Sequence, residues 1–250
     1  YLCPMENNNT IFGLRAIIEA LQAGISIEKL YIQKGLSGNL TSELMKLIKK
    51  EQVPISHVPI EKLDYLTKKS NHQGVVAVIS PIKYANLEEL IAQLETSDKK
   101  PLFLLLDQIT DVRNFGAIIR TAECTGVDAI ITQKQGSAPL NADAIKTSAG
   151  AAFKVPICRV DHIKDAIFQL QAADITIVAA TEKTEETIYD IDFNKAIAII
   201  MGSEDRGVNP SVLKLANHKA KLPLLGTIES LNVSVACGAF LYEVVRQRRQ

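Results

Sequence analysis

Short runs of β-branched and aliphatic residues alternate along the chain with stretches in which apolar residues recur every three or four positions. That alternation predicts an α/β architecture with a mainly parallel sheet. Residues 10–24 read as a helix, with Leu14, Ile17, Ile18 and Leu21 on one face and Gly24 as its stop. Residues 29–33 read as a strand, 41–51 as a helix capped by Thr41 or Ser42, 53–58 as a strand broken by Pro54, and 75–80 as an apolar strand. These elements define a first unit, 1–80. Residues 81–100 open on Pro81, carry one short amphipathic helix and end in a charged run before Pro101, which marks a linker. The second unit, 101–250, opens with Leu102–Leu106 and Asp107. Such a run is too apolar for a strand with one wet face and belongs inside a covered parallel sheet. Further buried strands are predicted at 129–132, 155–160, 176–181 and 196–201. Helices are predicted at 115–125, 142–149, 161–172, 211–217 and 231–247.

With 250 residues, 47% of them hydrophobic and 22% charged, the chain can build a sizeable core and is unlike a disordered polymer. Its 28 Lys and Arg balance its 28 Asp and Glu. That excludes a generally basic coat for nucleic acid and leaves room for a local basic surface. Cys3, Cys124, Cys158 and Cys237 are widely spaced and form no CxxC pair, which speaks against a disulfide framework and a structural zinc site. No apolar run reaches the ~18 to 20 residues that cross a bilayer. The first residues lack the pattern of a secretory signal, so a cytoplasmic protein without a membrane segment is expected, with Met5 as its natural start.

Three segments depart from plain fold-building chemistry, each where a predicted buried strand ends. In the first, Asp107–Glu123, Asn114 reads as a helix N-cap with Ile118, Ile119 and Ala122 facing inward. Taken alone, Arg120 there reads first as a solvated arginine paired with a neighbouring acid. In the second, Gly202-Ser203-Glu204-Asp205-Arg206-Gly207 follows a buried strand. A glycine at that point lets backbone approach a ligand, and open α/β sheets bind ligands at the carboxyl ends of their strands. The alternative is a wet surface turn. Neither GxGxxG nor a G-x-x-x-x-G-K-[ST] phosphate loop occurs. In the third, Leu222–Ala236, Ser230, Asn232 and Ser234 crowd the mouth of the last helix. A cap accounts for one of these polar residues but not for all three.

Taken together, the three segments resemble the motifs of the SpoU (TrmH-type) RNA ribose 2'-O-methyltransferases of the SPOUT superfamily. Those motifs are N-x-G-x-x-x-R, a G-x-E-x-x-G loop after a strand, and P-x-x-G-x-x-x-S-L-N-V-S-x-A. They stand here in order as Asn114-Phe115-Gly116 with Arg120, Gly202 to Gly207, and Pro223 to Ala236. Ile11–Ile17 and Asn71-His72-Gln73-Gly74-Val75 also resemble the extra domain of the subgroup acting on 23S rRNA guanosine, a small α/β domain similar to RNA-binding ribosomal proteins. Phe115 departs from the leucine common in that subgroup.

The resemblance implies a C-terminal trefoil knot, a feature that general topology rules disfavour, and S-adenosylmethionine as cofactor. The cofactor would rest on backbone around Thr181, Gly202, Leu222 and Leu231. It implies Arg120, Asn114, Glu204, Ser230 and Asn232 as the catalytic set, with Asn114 and Asn232 fixing the ribose or Arg120, Glu204 holding Arg120 or an RNA group, and Ser230 supporting them. No metal is needed. It also implies a homodimer packed through the knotted domain, with helix 231–247 and the helix after Asn114 at the interface.

Candidate phosphate contacts are Arg15, Lys34, Lys68, Lys69, His72, Arg113 and Arg120, and Arg246, Arg248 and Arg249 form a basic tail that also suits the helix dipole. The competing readings are a tRNA ribose methyltransferase, an antibiotic-resistance rRNA methyltransferase and a non-catalytic RNA-binding protein. Retention of the whole polar set argues against the last.

Overall fold

The computed structural model describes residues 10–97, 99–227 and 230–249. Cys3 and the expected start at Met5 lie outside the described residues. The chain divides into two compact units, one running to Lys83 and the other from Tyr84.

The first unit contains β1 (Thr10–Phe12), α1 (Leu14–Gln22), β2 (Ile27–Gln33), α2 (Asn39–Lys50), β3 (Ile55–Val58), α3 (Ile60–Leu66) and β4 (Val75–Ile79). Its sheet runs β1-β4-β2-β3. Only β2 and β3 are parallel; β4 is antiparallel to β2 and to β1, so this sheet is mixed. The predicted helix over 10–24 is corrected at its start. Gly13 lies at φ 94, a left-handed break before Leu14, and Thr10–Phe12 pair with Val76–Val78 instead. The side-chain amide oxygen of Gln73 accepts from the exposed first-turn amide of Leu14, 3.0 Å away. Helix α2 starts two residues earlier than predicted. Gly38 is its N-cap, Ser42 donates its hydroxyl back to the Gly38 carbonyl, and Thr41 is buried, so neither Thr41 nor Ser42 is the cap. Helix α3 escapes a periodicity reading because it is seven residues long and buries only Leu63. His72 is also corrected: it is buried, accepts the Gly74 amide on Nδ1 and bonds Asp64 through Nε2, so it holds a turn and is not placed to meet phosphate.

The second unit contains α4 (Leu87–Glu95), β5 (Leu102–Leu106), α5 (Val112–Thr125), β6 (Ala129–Gln133), α6 (Ala142–Thr147), β7 (Ile157–Val160), α7 (Ile163–Ala172), β8 (Thr176–Ala180), β9 (Ile197–Met201), α8 (Pro210–Leu213), β10 (His218–Ala220) and α9 (Val233–Arg248). Six parallel strands run β10-β8-β9-β5-β6-β7, with β5 and β9 buried along their whole length, as the apolar run at 102–106 requires. Residues 84–97 are not a free linker. Ala85 donates its amide to Ile157, and Leu87 and Ile91 of α4 are buried in the core with Ile163, Ile167 and Leu170. Burying each such side chain contributes about 1.5–3 kcal/mol, which fastens α4 to this unit. Strand β10 lies where no strand is predicted, and the helix predicted at 211–217 shortens to α8. The helix predicted to 149 ends at Thr147, followed by left-handed Ala149 and Gly150 and a 3-10 turn at Ala151–Phe153.

The C-terminal arginines are fixed rather than free. Arg248 donates to the carbonyls of Lys100, Pro101, Phe193 and Lys195, in the segments that lead into β5 and β9. Arg246 makes a two-pronged bond to the buried Glu243 carboxylate, 2.8 Å for each prong. Arg248 therefore anchors α9, Arg246 is paired within the helix, and the two do not form a free basic tail. Among the described residues, no helix is long and apolar enough to cross a membrane.

Candidate active site

Because the six strands are parallel, the carboxyl ends of β5, β9, β8 and β10 open on one edge of the sheet, and the three motif segments leave from there. After β9 the chain doubles back at once. Ser203 and Gly207 exchange backbone hydrogen bonds of 3.1 and 2.8 Å, and a Cβ on Gly202 would lie 2.0 Å from the Gly207 carbonyl carbon and the Val208 nitrogen. The glycine is thus required first by the chain's own fold-back, a reason that the strand-then-glycine pattern did not reveal. The turn holds Glu204 at the surface.

Asn114 is not the N-cap of α5. Asp111 takes that role, accepting the Asn114 amide at 2.7 Å, and α5 begins at Val112. This leaves the Asn114 side chain free to donate to Glu204 Oε2 at 3.2 Å. Asn232 does cap α9: its Oδ1 accepts from the Ser234 amide (3.0 Å), the Ser234 hydroxyl (2.6 Å) and the Val235 amide (3.4 Å). With its oxygen thus committed, its Nδ2 donates to Asn114 Oδ1 at 3.0 Å and to Glu204 Oε1 at 3.2 Å. Three segments far apart in sequence so close a ring in which both carboxylate oxygens accept from an amide.

Beside the ring lies a cavity of about 330 Å³ whose walls include Thr181, Gly202, Glu204, Leu222, Ser230 and Leu231. All four residues expected to hold the cofactor line it, together with Ser230. Glu204 belongs to both cavity and ring. Thr181 is set by its backbone amide, which donates to the Ala220 carbonyl, and by its hydroxyl, which accepts the Lys183 amide. Arg120 is not brought in: it is exposed on α5, lies outside the cavity wall, and makes no hydrogen bond or ion pair with a described residue. The sequence reading also missed the apolar wall of Met201, Leu224, Val233 and Phe240. Spacing offered a signal for one of these, since Phe240 lies seven residues after Val233 on the same helix face. Cys158 and Cys237 are buried, and burial pushes both thiols up to about 12, away from nucleophile or metal-ligand chemistry near neutral pH.

Residues 101–242, which hold the ring and the cavity, match the model of the SpoU rRNA Methylase family. The chain belongs to that family. Residues 10–85 match a second model, RNA 2'-O ribose methyltransferase substrate binding. The chain is 32% identical over 243 residues to the Bacillus subtilis protein named "Putative TrmH family tRNA/rRNA methyltransferase YacO", with 97% of each chain covered. It is 35% identical over 241 residues to a Staphylococcus epidermidis protein of the same family name, with 96% of each covered. Among solved structures it is similar to an AdoMet-bound rRNA methyltransferase from Sinorhizobium meliloti, at 25% identity and TM-score 0.60, covering 95% of this chain and 86% of that one. The protein is an RNA methyltransferase of the SpoU/TrmH type, and its ring and cavity are where the three family motifs meet.

Proposed function

We propose that this protein transfers a methyl group from S-adenosylmethionine to a ribose 2'-hydroxyl of RNA in the cytoplasm, and that the target is a guanosine of 23S rRNA. The observation that carries this reading is Glu204, shared between a small-molecule cavity and a polar ring open to solvent. The residues present fit the cofactor. The cavity volume is at the lower end of the ~300–1,000 Å³ typical of small-molecule sites. Met201, Leu222, Leu231 and Phe240 offer an apolar bed for a purine, while Glu182, Glu204 and Asp205 suit a cationic ligand. When bound, S-adenosylmethionine supplies an electrophilic methyl group on a sulfonium.

The chain's own residues must orient a weakly nucleophilic hydroxyl and manage its proton. Asn114 and Asn232 fix the Glu204 carboxylate, whose remaining lone pairs accept from the ribose, and Ser230 supports the hydroxyl from the cavity wall. Arg120 grips an RNA phosphate and stabilises the developing alkoxide. It does not act as a base, because guanidinium keeps its proton up to a pH above ~12, and the hydroxyl proton leaves to an RNA phosphate or to water. Its outward position on α5 supports a homodimer in which Arg120 serves the partner's site. Val235 and Tyr242, apolar residues of α9 that are more than half exposed, support the same packing. In this reading the segment from β10 into α9 is the trefoil-knotted part, and the first unit grips the RNA, with Arg15, Lys34, Lys68 and Lys69 exposed on it.

A tRNA target is the second reading, allowed by the relatives' names, which give both tRNA and rRNA, and favoured by similarity to an A. aeolicus TrmH/SpoU tRNA modifying enzyme (29% identity, TM-score 0.56, covering 65% of this chain and 84% of that one). Labelled S-adenosylmethionine with unmodified 23S rRNA and, separately, tRNA, followed by mapping of alkali-resistant ribose, decides between them. Label in 23S rRNA at one guanosine is expected. Label only in tRNA overturns the target, and label in neither overturns the enzyme reading. Light scattering tests the dimer.

A further inference from the structure

Asp107, the residue directly after β5, is a buried carboxylate that the reaction as described leaves unused. It is 2% exposed. Its amide donates to Met201 at 2.9 Å, continuing the β5·β9 ladder, and its Oδ2 accepts the amide of Asn209 at 2.8 Å. Asn209 closes the segment that opens at Gly202, and itself caps α8 by accepting from the Ser211 amide and hydroxyl. The Glu204 turn is therefore held at both ends, by the β9 ladder on one side and by Asp107 on the other. The next residue, Gln108, is left-handed at φ 61, and the chain then reaches the Asp111 cap that frees Asn114. Asp107 thus stands at the branch between two members of the ring.

Burying a carboxylate is costly, and one backbone amide needs only a neutral acceptor. Burial raises the pKa of Asp107, with the Asn209 amide opposing it. A buried acceptor that ties the Glu204 segment to β5, next to a left-handed residue, points to positioning of that segment, with the acceptor oxygen rather than the charge carrying the role.

We infer that Asp107 is a positioning residue that pins the Gly202–Asn209 segment to β5 and so sets Glu204 between Asn114 and Asn232. The inference rests on the methyltransferase reading above and deepens it. It predicts that removing the acceptor loosens Glu204 and one wall of the cavity together.

The test compares Asp107→Ala, Asp107→Asn and Glu204→Ala in the full-length protein by melting temperature, S-adenosylmethionine affinity and single-turnover methyl transfer to RNA. Asp107→Ser replaces Asp107→Ala should the latter not fold. Asp107→Ala is expected to lose at least tenfold in transfer rate and to bind S-adenosylmethionine several-fold more weakly. Asp107→Asn, which keeps an oxygen for the Asn209 amide, is expected to stay within about threefold of wild type. Adding Asp107→Ala to Glu204→Ala should cost less than twofold more, because Asp107 acts through Glu204. Full transfer by folded Asp107→Ala overturns the inference. So does equal loss in Asp107→Asn, or full additivity with Glu204→Ala. If the wild type transfers no methyl group to RNA, the functional reading fails. Cofactor affinity then still judges Asp107, and an unchanged affinity in Asp107→Ala overturns its role.

Discussion

Asn232 does two jobs with one amide, and an isosteric substitution separates them. Asn232→Asp keeps both acceptor positions, so the cap on α9 survives and its negative charge suits the helix N-terminus. The two donated bonds, 3.0 Å to Asn114 and 3.2 Å to Glu204, disappear, and a carboxylate oxygen faces Glu204 Oε1 across 3.2 Å. Two unit charges at that distance repel by about 1 kcal/mol in water and about 5 kcal/mol at an effective dielectric of 20. Both side chains are exposed, so the lower end applies. Losing the charge-assisted bond adds roughly 1.5–3 kcal/mol. A total of about 3 kcal/mol at the reacting centre corresponds to a fall of roughly 150-fold in kcat/KM. Asn232→Ala instead removes the cap, at about 1 kcal/mol, which lowers Tm by about 2–4 °C in a chain of this size. We therefore predict that Asn232→Asp collapses methyl transfer although it keeps the α9 cap that Asn232→Ala removes. Pairing it with Glu204→Gln, which restores a donor opposite the new acid, should recover at least tenfold of the loss. Single-turnover transfer and calorimetry provide the readouts. Activity within threefold of wild type in Asn232→Asp, or no recovery on adding Glu204→Gln, would refute the division of labour.

Gly202→Ala places a methyl 2.0 Å from backbone atoms that cannot rotate away, so the turn must open. Overpacking costs about 1–3 kcal/mol and here strikes backbone, so a loss at the upper end is expected, with cofactor affinity lost alongside; calorimetry and titration check both. Alkylation at pH 8 followed by peptide mapping should label Cys124, which is exposed, and leave Cys158 and Cys237 unlabelled until the protein unfolds; labelling of either buried thiol in the native protein would contradict their packing. The Arg246 bond holds the carboxyl of Glu243 below its ordinary value of 4.5, so its contribution to stability is present above that pH and is lost as pH falls further. Melting curves from pH 6 to pH 3 should show a steeper acid loss in wild type than in Glu243→Gln, and parallel curves would count against it.

Local chemistry made much of the fold legible. The wholly apolar 102–106 run could only be a strand covered on both faces, and the short β-branched runs at 129–132, 176–181 and 196–201 became strands of the same sheet. Several misreadings arose where a partner distant in sequence outweighed local pattern. Thr10–Phe12 carry a helix-compatible pattern and became a strand because β4 offers an open antiparallel edge. Leu87 and Ile91 looked like the face of a linker helix until the core of the second unit took them in. Arg248 suited a helix dipole, yet four backbone carbonyls from two other segments compete for its fork.

The sequence by itself singled out the polar residues and glycines of the three motif segments, since motif spacing is a covalent property, and all four expected cofactor-site residues line one cavity. What only the tertiary structure decided is how those residues are oriented. Asp111 released Asn114 from capping, the α9 cap committed one end of the Asn232 amide, and the fold-back at Gly202 set Glu204 between them. Arg120, from the same motif as Asn114, points elsewhere. The reason is physical: a side chain's direction depends on which hydrogen-bonding groups its backbone and its neighbours have already satisfied, and those neighbours lie 28 to 118 residues away along the chain.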